Sequence, residues 1–249
     1  MIAWAIDLDG VVWRGTETVP GSPEAILRLR EAGCPLAFVT NSALRTPRQV
    51  ADKLAHHGIP GAEPEVITSA MAAASLVEPG ERVVVVGADG LTAALSERGA
   101  ELVASGPADA VVVGLTHDFD YDDLTRAMRA LRDGARFVAT NDDATFPVAD
   151  QLLPGAGSIV AAVATASGAE PEVAGKPHAT IAGFVRRQLG DDGIMVGDRP
   201  ETDGLFARAL GYRFGLVLTG VVSASDLPVQ PEPDLVRPDL AALVAALSA

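Results

Sequence analysis

Cysteine and lysine are almost absent from this sequence. Cys34 is the single cysteine among 249 residues, which excludes an intrachain disulfide and a cysteine-based metal site, so we expect Cys34 to lie in the core. Only Lys53 and Lys176 are lysines, and the other 17 of the 19 basic residues are arginines. Because arginine is the usual cation of this chain, each lysine is a candidate for a specific role.

Long apolar segments are also missing. No basic region precedes the first apolar residues, and Asp7 interrupts them well before the ~7 to 15 apolar residues of a secretory signal are reached. No segment approaches the ~18 consecutive apolar residues of a membrane span. We therefore expect a cytoplasmic protein that does not bind membranes.

Positive charge is scarce as well. Acidic residues outnumber basic ones by 33 to 19, which gives a formal net charge of −14 at pH 7. A negative surface field repels polyanions, so the composition argues against a nucleic acid polymer as partner. A small anionic substrate would need focused groups, such as a metal ion, backbone N–H groups or a few placed cations.

The sequence does contain a regular alternation of short apolar runs and amphipathic stretches. An apolar fraction of 48% with 25 Gly and 17 Pro is typical of a folded globular protein. The alternation predicts an α/β fold with a parallel sheet. The predicted strands are 2–6, 36–39, 83–86, 110–113, 137–139, 194–196 and 215–218. The predicted helices are 22–32, 46–57, 91–98, 121–133, 157–167, 178–189, 202–209 and 238–247.

Polar side chains follow three of these predicted strands. The first strand ends in Asp7-Leu8-Asp9-Gly10, the second in Thr40-Asn41-Ser42, and strand 194–196 in Gly197-Asp198, with Asp203 five residues later. Lys176 comes directly before a predicted helix. Since the carboxyl ends of parallel strands form one rim where ligands bind, we expect these side chains to meet there.

These residue types suit phosphoryl transfer. Asp7 and Asp9 would project to the same face of a continuing strand, and converging carboxylates suit Mg²⁺, which prefers oxygen ligands. Asp7 could then attack phosphorus to form an aspartyl-phosphate, with Asp9 as general acid and then general base. Thr40 with its neighbouring amides, and Lys176, could bind the phosphoryl oxygens. Each residue alone also fits a turn or a surface position, but the whole set favours a phosphoryl site.

The four motifs, in this order, resemble those of the haloacid dehalogenase (HAD) superfamily over nearly the whole chain. The resemblance implies a doubly wound, Rossmann-like parallel-sheet core with Asp7 as nucleophile and Asp9 as acid and base. It implies a Mg²⁺ site that comprises Asp7, the Asp9 carbonyl and Asp198, and Asp203 would support these ligands without contacting the ion. The candidate substrate-binding residues are Thr40, Asn41, Lys176 and, in the inserted segment described below, Asn141.

Further stretches resemble the NagD-like, p-nitrophenylphosphatase-type branch of the superfamily, whose members are mostly phosphatases. They are residues 9–13, 68–70, 139–141, 154–158 and 217–221. The sequence departs mildly from that pattern, with Arg199-Pro200-Glu201 before Asp203 and Gly204 after it. No catalytic group is lost through these departures.

The spacing of the motifs predicts an inserted domain. Thr40 and Lys176 are 136 residues apart, whereas 33 residues, about one βα unit, separate Asp7 from Thr40. We expect a catalytic core of residues 1–80 and 170–249 and a smaller inserted α/β domain of residues 81–169. It resembles the C2 cap of the NagD branch, which implies that it selects the substrate and excludes water. Asn141, with Asp142 and Asp143, could bind a substrate hydroxyl, although turn formation is the simpler interpretation.

Several other polar or aromatic residues are given ordinary structural roles. We expect Trp13 to pack against an active-site flap. His56 and His57 are adjacent, so they make a poor metal pair and are expected at the surface. His117 and His178 lack any metal-like spacing. A solvated helix face is expected for Arg126, Arg129 and Arg132.

The sequence thus predicts a Mg²⁺-dependent phosphatase for a small phosphorylated metabolite: a nucleotide, sugar phosphate, glycerol phosphate or phosphoglycolate. A phosphotransferase or mutase with the same aspartyl intermediate is an alternative, and a phospho-accepting signalling module is another. The second Asp of the first motif speaks against a dehalogenase, and a length of 249 residues speaks against a receiver module. A homodimer is left open.

Overall fold

The computed structural model describes residues 2–148 and 151–247. Its strands are β1 (Ala3–Ile6), β2 (Trp13–Arg14), β3 (Glu17–Thr18), β4 (Leu36–Thr40), β5 (Val66–Thr68), β6 (Arg82–Val86), β7 (Glu101–Leu102), β8 (Ala110–Val113), β9 (Arg136–Ala139), β10 (Thr145–Val148), β11 (Gln151–Pro154), β12 (Glu172–Val173), β13 (Gly193–Gly197), β14 (Arg213–Val217) and β15 (Leu235–Arg237). Its α-helices are α1 (Ser22–Glu31), α2 (Pro47–His56), α3 (Ser69–Ala74), α4 (Asp89–Arg98), α5 (Tyr121–Arg132), α6 (Ala156–Ser167), α7 (Ala179–Leu189), α8 (Leu205–Leu210) and α9 (Leu240–Leu247).

The larger sheet has six parallel strands in the order β15-β14-β13-β1-β4-β5. β1 lies at its centre, and the chain continues to one side through β4 and β5 and later to the other side through β13, β14 and β15. The strand order therefore reverses at β1, and such a reversal opens a crevice beyond the carboxyl ends of the strands. Asp7 directly follows β1 at this point.

Side chains of the larger sheet alternate between two apolar layers. Trp4 and Ile6 of β1 join one buried cluster with α1, α2 and α9, whereas Ala5 joins a second cluster with α3, α7 and α8. Strand side chains point to alternate faces, so helices cover both faces of the sheet. This arrangement is a doubly wound α/β fold and confirms the predicted fold class. Cys34 is half-buried and packs against the first cluster.

The smaller sheet has five parallel strands in the order β12-β9-β8-β6-β7. One face packs against α5 and α6, and the other joins the cluster that contains α3 and α4. Its strands run from Arg82 to Val173, so β12 lies past the predicted end of the inserted domain at residue 169. The division into a core of residues 1–80 and 170–249 and an inserted domain of residues 81–169 remains a prediction.

All seven predicted strands are present, with ends that differ by at most two residues. The sequence prediction omitted short elements such as the β2–β3 hairpin, β5 and the β10–β11 hairpin. The predicted helix at 202–209 was wrong at its start, because Pro200–Gly204 forms a π-helical turn and α8 begins at Leu205. Such wide turns are frequent at functional sites. Within the described ranges, no helix is both long and apolar enough to cross a membrane.

Candidate active site

The carboxyl end of β1 turns sharply after placing two aspartates. The Asp7 backbone N–H donates to the Val196 carbonyl of β13 at 2.9 Å, so Asp7 still belongs to the rigid sheet and its side chain is buried. Gly10 adopts φ +80°, a left-handed conformation that favours glycine. Asp9 lies in this turn with an exposed side chain, and its Oδ1 accepts a 2.9 Å hydrogen bond from Trp13 Nε1.

Lys176 joins two of the predicted carboxylates. Its buried ammonium donates to Asp7 Oδ1 at 2.5 Å and to Asp203 Oδ1 at 2.8 Å. Thr40, at the end of neighbouring β4, is also buried, and its Oγ1 accepts the Ser42 N–H at 3.1 Å. Residues far apart in sequence thus converge at the rim of the larger sheet.

Asp198 and Asp203 follow β13 and face the same point. Asp198 Oδ2 accepts the Val221 N–H at 2.7 Å, whereas its buried Oδ1 has no hydrogen-bond partner among the residues that the structure describes. Asp203 uses both oxygens, because Oδ2 accepts the Arg199 N–H at 3.2 Å while Oδ1 binds Lys176. Ligand oxygens of Asp7, Asp198 and Asp203 lie within 4.8 Å of one another. A partnerless buried carboxylate oxygen in such a cluster fits a divalent cation.

The site carries more buried negative charge than Lys176 balances. Burial raises the pKa of Asp7 well above its usual value, and the Lys176 ammonium opposes this rise while Asp203 and Asp198 add to it. Burial, and then the charge of Asp203, raise the pKa of Asp198 to about 7. The two carboxylates raise the pKa of Lys176 in spite of its burial. These buried carboxylates therefore favour either protons or an added cation.

Asp198 is enclosed by two glycines, and we expect Gly220→Ala to disturb it. A Cβ at Gly220 would lie 1.8 Å from Asp198 Oδ2, and one at Gly10 would lie 2.3 Å from the same atom. Since Val221 holds this carboxylate in place, Gly220→Ala should lower the free energy of unfolding by ~1–3 kcal/mol, as overpacked sites do. Urea denaturation would measure the change.

Gly183→Ala is the matched control for that substitution. Gly183 lies inside α7, where an added Cβ meets only the end of the Arg187 side chain at 3.4 Å. Alanine in a helix interior is favoured over glycine by roughly 0.5–1 kcal/mol, so this variant should be as stable as the parent or more so. A Gly220→Ala protein of parental stability would contradict the close packing around Asp198.

Asn41 links the segment that contains Lys176 to the segment after β9. Its Oδ1 accepts the Lys176 N–H at 2.7 Å, and its Nδ2 donates to the Lys176 carbonyl at 3.0 Å and to Asp143 Oδ2 at 2.9 Å. Asn141 Nδ2 donates to the Asn41 carbonyl at 2.8 Å, and Asn141 Oδ1 accepts the Asp143 N–H at 3.2 Å. The latter bond is the Asx turn that the sequence suggested. Both amides hold the two segments together, and their contact with substrate remains a prediction.

A cavity of about 410 Å³ opens above these groups. Its floor contains Asp7, Asp9, Thr40, Lys176 and Asp198, and its opposite wall includes residues that follow strands of the smaller sheet. Leu115, His117 and Asn141 are among these wall residues, and Phe146 of β10 also lines the cavity. Arg45, Phe146 and the cavity position of His117 could not be predicted, because neither strand-end position nor motif spacing marks them. The rarity of lysine had marked Lys53 as a candidate for a specific role, and Lys53 does line the cavity.

The remaining sequence predictions have mixed outcomes. His57 was wrongly expected at the surface, because it is 5% exposed and its ring stacks on Trp13. Arg126 pairs with Asp123 on the same helix at 2.7 Å and does not line the cavity around Asp7. His178 Nε2 lies 3.5 Å from an Asp142 carboxylate oxygen.

Known proteins resemble both the sequence and the fold. A family model of haloacid dehalogenase-like hydrolases matches residues 4–101, and a related HAD hydrolase model matches residues 173–243. The chain is 38% identical over 224 residues to the 5'-nucleotidase YutF of Bacillus subtilis, which covers 88% of this chain and 87% of that protein.

Two solved structures share the architecture throughout. A glycerol phosphate phosphatase from Mycobacterium tuberculosis, in complex with magnesium, is 38% identical with a TM-score of 0.89 over 97% of this chain and 75% of that one. A p-nitrophenyl phosphatase from Archaeoglobus fulgidus is 32% identical with a TM-score of 0.92 over 98% of both chains. These similarities, together with the strand-end carboxylates, show that the chain belongs to the haloacid dehalogenase superfamily of hydrolases, in its NagD-like, p-nitrophenylphosphatase-type branch.

Proposed function

We propose that this protein is a Mg²⁺-dependent phosphatase that cleaves small phosphate monoesters through an aspartyl-phosphate on Asp7. One observation carries the proposal: Asp7, the Lys176 ammonium and the partnerless Asp198 oxygen converge at the floor of one cavity. The phosphatase names of the relatives support it, as does the magnesium bound to the M. tuberculosis structure.

The residues at the rim fit a magnesium ion. Asp7 and Asp198 would hold it together with the backbone carbonyl of Asp9, and we assign Asp203 to fixing Lys176, because both Asp203 oxygens already accept hydrogen bonds. When bound, Mg²⁺ would offset the charge of the carboxylates and of the substrate phosphate. It would also favour the ionised form of Asp7, whose pKa burial otherwise raises.

Asp7 is suited to nucleophilic attack by its fixed position. The sheet holds its backbone, and Lys176 holds Oδ1, so the carboxylate does not have to be ordered at the moment of reaction. Lys176 and the amides near Thr40 would bind the phosphoryl oxygens as charge develops on them. The phosphorus–oxygen bond to the leaving group breaks as the bond to Asp7 forms.

Asp9 is placed for proton transfer. Its side chain is exposed to the cavity above Asp7, unlike those of Asp7 and Asp198, so it can meet both the leaving group and a water molecule. We assign to Asp9 protonation of the departing alkoxide and then deprotonation of the water that hydrolyses the aspartyl-phosphate. General acid and base catalysis of this kind contributes roughly 10²- to 10⁴-fold.

The smaller sheet and its helices would act as a cap that selects the substrate. Its residues form one wall of a cavity of about 410 Å³, a volume suited to a small ligand. We propose a phosphorylated metabolite of the size of a sugar phosphate, glycerol phosphate, phosphoglycolate or mononucleotide. The half-buried Phe146 and Leu115 would contact its organic portion.

Phosphate release from a panel of monoesters tests the function. The panel contains p-nitrophenyl phosphate, glycerol phosphate, a hexose phosphate, phosphoglycolate and a nucleoside 5'-monophosphate, each assayed with MgCl₂ and with excess EDTA. We expect many turnovers per protein molecule with Mg²⁺ and almost none with EDTA. Phosphorylation that stops at one phosphate per chain, or activity that survives EDTA unchanged, would contradict the proposal.

A further inference from the structure

The indole of Trp13 contacts Lys53 of α2 and His57, the residue that follows this helix. Trp13 is 2% exposed, although it begins the short β2–β3 hairpin. The Lys53 ammonium lies 3.9 Å from its ring centroid. The His57 ring stacks on it at 5.0 Å between centroids, with 28° between the planes. Cation–π and aromatic contacts of this kind favour one orientation of the ring.

The same contacts tie the hairpin to α2. His57 Nδ1 and Thr18 Oγ1, which lies on the second hairpin strand, are 2.7 Å apart and share a hydrogen bond. Both hairpin strands therefore contact α2, one through Trp13 and the other through Thr18. The ring of Trp13 is fixed although its strand contains only two residues.

The fixed indole donates its N–H to the one exposed carboxylate of the site. Trp13 Nε1 lies 2.9 Å from Asp9 Oδ1, and the structure shows no other hydrogen bond to the Asp9 carboxylate within the described part of the chain. Asp7 and Asp203, in contrast, are held by Lys176, and Asp198 by Val221. Without the indole, the Asp9 carboxylate would lose the hydrogen bond that orients it.

We propose that Trp13 is a positioning residue for the acid–base step, and that Lys53 and His57 hold it in place. The proposal rests on the proposed role of Asp9. Since the indole N–H occupies Oδ1, the transferable proton belongs on Oδ2. It passes from there to the leaving-group oxygen as the phosphorus–oxygen bond breaks, and the indole keeps its own proton. Trp13 thus selects which carboxyl oxygen faces the substrate.

Leaving-group dependence tests this role. A nitrophenolate departs with little protonation, whereas the alkoxide of glycerol phosphate requires a proton. Trp13→Phe keeps an aromatic ring and removes the N–H donor. We expect kcat/KM for glycerol phosphate to fall on the order of tenfold, the effect of one hydrogen bond to a charged group, with a much smaller fall for p-nitrophenyl phosphate. An equal fall for both substrates, or no fall for either, would overturn the proposal.

Two matched pairs of variants control for effects that come from a general loss of structure. Trp4→Phe removes the other indole of the chain, which lies in the core within β1, and should leave the ratio of the two kcat/KM values unchanged. Lys53→Met keeps a side chain of similar length and removes the charge over the Trp13 ring. It should change the ratio of the two kcat/KM values in the same direction as Trp13→Phe. Arg48→Met removes an exposed cation of the same helix and should not. A ratio unmoved by Lys53→Met would overturn the role of Lys53.

Asp9→Asn separates this inference from the proposed function. Asp9→Asn should reduce kcat/KM for glycerol phosphate far more than for p-nitrophenyl phosphate. If it does so and Trp13→Phe does not, the positioning role fails while the proposed function stands. If the parent protein releases no phosphate, the proposed function itself fails. The indole N–H resonance of Trp13 gives a readout without turnover, since it should shift in Asp9→Asn while that of Trp4 does not.

Discussion

Asp7→Asn is expected to lower kcat for phosphate release by about 10⁴-fold or more, the scale seen when a catalytic nucleophile is removed. The amide has nearly the shape of the carboxylate but cannot attack phosphorus. The substitution also removes the negative charge of one proposed ligand of Mg²⁺. Initial rates with p-nitrophenyl phosphate at saturating MgCl₂ would measure the loss. An Asp7→Asn protein of near-parental activity would show that another residue is the nucleophile.

The Asp7→Asn protein should remain folded. Burial already raises the pKa of Asp7, so replacing the charged group by a neutral one relieves part of the local repulsion, and Lys176 keeps its contact with Asp203. Asp89→Asn is the matched control, because Asp89 is an exposed aspartate that follows a strand end of the smaller sheet and begins α4. Its kcat should stay close to that of the parent.

Lys176→Met is expected to lower the free energy of unfolding by about 3–5 kcal/mol in metal-free protein, the usual effect of removing one partner of a buried ion pair. The 2% exposed ammonium contacts both Asp7 and Asp203. Without it, three buried carboxylates face one another with no cation among them. Urea denaturation in EDTA would measure the loss, and phosphate release should also be abolished or nearly so.

The loss of unfolding free energy in Lys176→Met should grow as the pH rises. Burial raises the pKa of Asp198 to about 7 from an ordinary value of 3.8, so between these values the folded protein binds more protons than the unfolded chain. Stability linked to Asp198 is therefore present at low pH and is lost as the pH rises towards 7. The Lys176 ammonium limits the rise in the pKa of Asp198. Because Lys176→Met removes this cation, the unfolding free energy of the variant should fall more steeply between pH 5 and pH 8 than that of the parent.

Lys53→Met is the control for this experiment, since it removes the other lysine of the chain. Lys53 is half-buried, and its charged contact is with the Trp13 ring and not with a buried carboxylate, so its removal should cost about 1 kcal/mol. Added MgCl₂ should restore part of the stability of Lys176→Met by supplying a cation to the carboxylates. Equal losses in the two variants would contradict the central position of Lys176.

Much of the floor of the cavity could be predicted from sequence. Asp7, Thr40 and Asp198 each end an apolar run of the length of a buried strand, and parallel strands bring their carboxyl ends to one rim. The spacing between Thr40 and Lys176 predicted a large insertion, and the structure shows a second sheet between them. Local patterns suffice here because the strand period and the chain direction together determine where a strand-end side chain lies.

The sequence by itself therefore determined the fold class and which side chains meet at the rim. Tertiary structure alone decided how that rim is held and enclosed. Trp13 lies 40 and 44 residues from Lys53 and His57, and their contact depends on how α2 packs against the β2–β3 hairpin. Asn41 meets Asp143 and Asn141 only because the smaller sheet folds back over the larger one. No periodicity or motif encodes such contacts, since they depend on the packing of whole elements.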